Sequence, residues 1–177
     1  MSKLSEALAS GRFVVTAELS PPKGTALDRL FENAESLKGL VTAFNLTDYA
    51  ASRMSMSPVA VAHLLLDRGI EPTVQFTCRD RNRLALQGDL LGAHALGISN
   101  LLCMTGDPPS GGDHPDTKPV FDLGVIDLLR AISSLQSGHG CDCCVQPSLP
   151  PTAGVHQRQA KGKPRRIGAF LMGQQIL

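Results

Sequence analysis

A chain of 177 residues is long enough for one domain with a real hydrophobic core. Its formal net charge of +1 leaves no electrostatic footprint for nucleic acid or an anionic membrane surface, and no apolar run is long enough to span a bilayer. With 4% aromatic residues and no tryptophan, the core must be mostly aliphatic.

The opening MSKLSEALASGRF lacks the apolar centre of a signal peptide. It has the pattern of a short amphipathic helix, with Leu4 and Leu8 one turn apart. FVVTAEL (13–19) is a β-branched run stopped by SPPKG. Leu27, Leu30, Phe31, Ala34 and Leu37 then recur at helical spacing, and VTAFNL (41–46) is a second strand. SPVAVAHLLLDRG (57–69) opens with Ser57 as N-cap and Pro58 in the first helical position, and closes on Gly69. PTVQFTC (72–78) predicts a strand, LALQGDLLGAHALG (84–97) a helix, NLLCMTG (100–106) a strand and LGVIDLLRAISSLQSG (123–138) a helix. Beyond Gly138 the periodicity weakens. CDCCVQ (141–146) is a candidate fifth strand, VHQRQAKGKPRRI (155–167) is broken by Gly162 and Pro164, and GAFLMGQQIL (168–177) is a candidate sixth strand.

The alternation of strand and helix predicts an α/β domain with parallel strands, spanning 1–177, regular over 1–138 and irregular over 139–177. The strands read as continuously apolar, as strands buried on both faces must be. Loops after strands are longer and more polar than loops before them, which places a site at the C-terminal strand ends. No GxGxxG or P-loop follows the first strand, so a partial (β/α)8 barrel of about six β-α units is the expected fold. Cys78 and Cys103 fall in apolar, strand-like runs and indicate buried thiols in a reduced, cytosolic protein. In GHGCDCC, His139, Cys141, Cys143 and Cys144 are too tightly spaced for an ordinary zinc site, so no metal is expected.

The strand ends supply the candidate residues: Glu18; Asn45, Thr47 and Asp48; Gln75, Thr77 and the cluster Arg79, Asp80, Arg81, Asn82, Arg83; then Thr105, Gly106 and Asp107. Glu18, inside an apolar strand, is either a general acid with a raised pKa or a strand-end carboxylate paired with an arginine. Asp80 is either the cap of the following helix or a ligand contact. TGDPP is either a close backbone approach or an ordinary turn.

VTAELSPPKG, NLTD, QFTCRDRNRLALQGDLLGAHALGI, NLLCMTGDPP and KPVFDL, in this order and spacing, resemble the methylenetetrahydrofolate reductase family from about Phe13 to Gln136. The resemblance implies a (β/α)8 barrel with FAD at the C-terminal strand ends. It implies passage of a hydride from NADH or NADPH to 5,10-methylenetetrahydrofolate, giving 5-methyltetrahydrofolate. By resemblance, Glu18 is the general acid that protonates the folate nitrogen, and Asp107 lies beside flavin and folate as an electrostatic stabiliser. Thr47, Asp48, Ala50, Gln75, Thr105, Gly106, Phe121 and Asp122 match positions that line FAD. RRIGAFLMGQQ resembles a later family motif, which makes Arg166 a further FAD contact and Gln174 a folate contact. CRDRNR is typical of one branch of the family, and the resemblance assigns its members no separate roles.

Family members run roughly another hundred residues, the remainder of a typical barrel. An incomplete barrel is therefore expected, with three alternatives to a free-standing active reductase. They are a non-catalytic remnant that binds flavin weakly, a homo-oligomer or partner subunit that completes the barrel, and the reductase module of a bifunctional homocysteine methyltransferase. The last would need an upstream domain that MSKLSEAL does not show.

Overall fold

The computed structural model describes residues 2–137 and the backbone of the strand at 168–170. In chain order it contains α1 (Lys3–Ala9), β1 (Thr16–Leu19), α2 (Asp28–Leu37), β2 (Ala43–Leu46), α3 (Pro58–Leu66), β3 (Pro72–Thr77), α4 (Arg83–Ala95), β4 (Asn100–Met104), α5 (Val125–Gln136) and β5 (Gly168–Phe170). All strand pairs are parallel, and the sheet runs β1-β2-β3-β4-β5 without reversal. A doubly wound sheet reverses direction at a switch point, whereas a barrel winds one way. This is part of a (β/α)8 barrel.

The strands differ from expectation in one respect that matters for the site. They alternate rather than running continuously apolar. Ala17, Leu19, Phe44, Leu46, Val74, Phe76, Leu101 and Cys103 share one face and pack with the helices in the main core. The register places Glu18 opposite Asn45, Asn45 opposite Thr73, and Gln75 opposite Leu102. Glu18, Asn45, Thr47, Thr73, Gln75 and Thr77 therefore fall on the other, polar face, because side chains alternate with period two.

The helices cover the apolar face. Val61, Ala62 and Leu65 of α3, Leu86 and Leu90 of α4, and Leu128 and Ile132 of α5 are buried against it. Full burial of one such aliphatic side chain contributes about 1.5–3 kcal/mol. Arg68 stacks its guanidinium 3.5 Å above the Phe31 ring of α2. Ser57 occupies the N-cap of α3 as expected, but its side chain makes no capping bond, and Pro58 alone sets the start.

Helix α1 closes the N-terminal end of the sheet. Leu4 and Ala7 are its buried residues, whereas Leu8, expected beside Leu4, is exposed. Glu71 accepts from the amides of Lys3 and Leu4 at 2.8 and 2.9 Å, and the buried Asn100 donates to Glu71 at 2.9 Å and accepts from Ser2 at 2.6 Å. The first strand starts at Thr16 rather than Phe13, and Phe13 is 94% exposed. The GAF segment, expected within a sixth strand, pairs directly with β4. The candidate fifth strand at 141–146 and GHGCDCC lie outside the described residues.

Candidate active site

The loops at the C-terminal strand ends enclose a cleft of about 570 Å³, within the usual range for small-molecule sites. Its lining brings together Glu18, Thr47, Asp48, Ala50, Gln75, Thr105, Gly106 and Asp107. Leu102, Met104, Val125 and Ile126 add apolar surface. Sequence reading misses these four; the period-two alternation that places Leu102 and Met104 with Gln75 and Thr77 is the available signal.

Glu18 stands on β1, which has no neighbour on its outer side among the described residues. It is exposed, so the enclosed apolar setting expected from the strand sequence is not what β1 provides. Its partner is an amide rather than an arginine: Gln75 Nε2 donates to Glu18 Oε2 at 3.1 Å.

Asp48 is the buried carboxylate of the site. The amide and hydroxyl of Thr77 both donate to its Oδ2 at 2.8 Å, and the guanidinium of Arg81 pairs with the same oxygen. Oδ1 is buried and has no partner. Burial raises the Asp48 pKa, against the opposing pull of the Arg81 charge. Arg81 also stacks 4.4 Å from the centroid of Phe76 and reaches Asp89 at 3.3 Å.

The charged cluster thus resolves residue by residue. Asp80 does not cap α4. Asn82 does, accepting from the amide of Ala85 at 3.0 Å, while Asp80 forms a two-point pair with Arg79 at 2.8 Å for each bond. Arg83 pairs with Asp122 through its backbone amide and guanidinium, which holds the Asp122 carboxyl down at about 2. Asp122 therefore braces the start of α4, and neither it nor the 40%-exposed Phe121 lines this cleft. Arg166 and Gln174 lie outside the described residues.

Two devices shape the rim. Gly106 has φ +91°, and a Cβ there would lie 2.9 Å from Arg79 Cβ and 3.2 Å from Thr77 Cβ. The close approach expected at TGDPP is thus to the end of β3. Asp113 accepts from Lys23 Nζ at 2.8 Å and from the Met54 amide at 3.0 Å, tying the loops after β1, β2 and β4 together. Those two bonds lower the Asp113 pKa to about 2.

Among the described residues no helix is long and apolar enough to cross a membrane. The sequence model of the methylenetetrahydrofolate reductase family matches residues 3–162. A probable methylenetetrahydrofolate reductase (NADH) of Oryza sativa subsp. japonica is 29% identical over 116 residues, which is 64% of this chain and 20% of that protein. The chain thus spans about a fifth of the length of this curated relative. With the family model covering nearly all of it, and with parallel strands that carry their polar residues into one cleft, the chain belongs to the methylenetetrahydrofolate reductase family.

Proposed function

We propose that the cleft binds FAD and folate, and that the protein reduces 5,10-methylenetetrahydrofolate to 5-methyltetrahydrofolate with NADH or NADPH as donor. The observation that carries this reading is the convergence of Glu18, Gln75, Thr47, Thr105 and Asp107 at the C-terminal strand ends, beside the apolar Leu102, Met104 and Ile126. A flat heteroaromatic group needs such a combination: apolar surface for its ring faces and fixed polar groups for its edges. The donor and acceptor set therefore fits a flavin. Thr47, Thr105 and Gln75 would hold it, with Ala50 and Gly106 beside them in the lining. The bound flavin supplies two-electron hydride chemistry.

The chain's own residues would do the rest. Glu18 carries a carboxyl at the open side of the cleft, where it can hand a proton to a folate nitrogen. Gln75 fixes the direction of that carboxyl through its 3.1 Å bond. Asp107 presents a carboxylate that stabilises positive charge developing on the ring-opened folate. Asp48 Oδ2 is held by Thr77 and Arg81, which fixes this carboxyl in the wall of the cleft.

A second reading is favoured by the outer edge of β1, which has no strand beside it among the described residues. An open edge pairs readily with another strand. On this reading the sheet associates with strands of another barrel subunit, and flavin is held weakly. FAD titration monitored by flavin fluorescence, followed by assay of NAD(P)H-dependent methyltetrahydrofolate formation, separates the two. Stoichiometric FAD uptake with turnover supports the reductase. Oligomerisation without turnover supports the second reading.

A further inference from the structure

Three non-glycine residues of one short turn have left-handed backbones: Tyr49, Ala51 and Ser52, with φ of 52°, 50° and 56°. Such conformations cost on the order of 1–3 kcal/mol each and persist only where the surroundings over-determine them. The main determinant here is a single buried side chain, Arg79, which is 2% exposed. Its Nη2 donates to the Tyr49 carbonyl at 3.2 Å, and its Nη1 to Ser52 Oγ at 2.9 Å and to the Asp107 carbonyl at 3.1 Å. Ser52 Oγ in turn lies 2.9 and 3.0 Å from the carbonyls of Asp107 and Pro108. Asp80 grips the guanidinium from its other edge, so the fork cannot rotate away. The main-chain carbonyl of Arg79 accepts from the Val120 amide at 2.7 Å. The packing is equally tight: a Cβ on Gly112 would lie 2.0 Å from the Ser52 carbonyl oxygen.

We propose that Arg79 is a positioning residue. It locks the turn after β2 to the loop after β4, making them one wall of the cleft, and so fixes where the Asp107 carboxylate stands. What Asp107 does for a ligand rests on the function proposed above; the coupling of the two loops does not. Lysine cannot replace the device. A point charge on a flexible stem does not reach three acceptors while staying clamped by Asp80.

The test uses the full chain as wild type, Arg79→Lys and Ser52→Ala. Hydrogen exchange is followed in peptides covering 49–52, 106–112 and the core of α4. The affinity for FAD and the reduction potential of the bound flavin are measured in parallel. Arg79→Lys should speed exchange in both loops together, by about tenfold or more, the effect of losing a charge-assisted bond on local opening. Helix α4 should stay protected, FAD should bind more weakly, and the potential should move. Ser52→Ala should shift every readout in the same direction by less. Loosening of one loop without the other overturns the proposal, as does loosening of both with affinity and potential unchanged. If Arg79→Lys does not fold, the same readouts on Ser52→Ala support or overturn the proposal by the same criteria. If the wild type takes up no FAD, the flavin reading falls, and exchange in the two loops alone decides whether Arg79 couples them.

Discussion

Gln75 Nε2 donates to Glu18 Oε2 across 3.1 Å, although the residues are 57 positions apart and stand on strands separated by β2. The bond spans the polar face of the sheet and gives an otherwise exposed carboxyl a fixed bearing. Glu18→Gln in the flavin-loaded protein should lower folate reduction by about 10²–10⁴-fold, the usual contribution of a positioned acid. Oxidation of NAD(P)H by the same protein needs no such proton and should continue at the wild-type rate. Stopped-flow measurement of both reactions decides the point, and equal loss in the two would remove Glu18 from the acid role.

Asp107 carries a further carboxylate on the cleft. Asp107→Asn should slow folate reduction by about 10²–10³-fold, the cost of removing one preorganised electrostatic group. It should also raise the potential of bound flavin, because a nearby negative charge opposes the arrival of electrons. Spectroelectrochemical titration reads the potential directly. An unchanged value would place Asp107 away from the flavin.

Arg81→Leu should strip the buried Asp48 of its countercharge and destabilise the fold by about 3–5 kcal/mol at neutral pH. The pH dependence has a definite sign. Burial raises the Asp48 pKa above its ordinary 3.8, so stability tied to this group is complete below that value and is lost as pH rises through the folded-state pKa. Removing Arg81 widens that gap. The stability deficit of the variant should therefore be greatest near pH 7 and shrink on acidification. Urea midpoints from pH 7 down to pH 4 test this, and a deficit that grows toward acid would contradict it.

How far the sequence discloses this molecule depends on whether the information is local. Strand and helix order, and the cleft at the strand ends, follow from short-range periodicity and from the longer loops after the strands. The cluster at 79–83 is different. Whether Asp80 or Asn82 caps α4 depends on where Arg79 points, and Arg79 points to carbonyls at Tyr49 and Asp107 that only the folded sheet brings near. Glu18 shows the reverse error. An apolar strand sequence suggests enclosure, but among the described residues β1 lies at the sheet's edge, and only its Leu19 is buried. The place of Asp122 in KPVFDL suggests a cofactor contact by resemblance, and the pairing of its carboxylate with Arg83 is visible only in the fold.

Gly106→Ala should destabilise the protein by about 1–3 kcal/mol, since φ +91° is unfavourable for any side chain and the new Cβ would press on Arg79 and Thr77. The strain should appear as a lower urea midpoint together with weaker FAD binding. A variant with wild-type stability would show that the loop can back away from β3.

The three arginines of FTCRDRNR are each matched to a carboxylate: Arg79 to Asp80, Arg81 to Asp48 and Arg83 to Asp122. A stretch that looks cationic in one dimension is therefore close to electrically silent in three. Among the described residues the arginine that lines the cleft, Arg79, is already held by Asp80. A phosphate-bearing ligand consequently gains little long-range attraction from these three arginines, each neutralised well within the screening length of about 8 Å at 0.15 M. The salt dependence of its association that comes from this segment should therefore be weaker than the arginine content suggests.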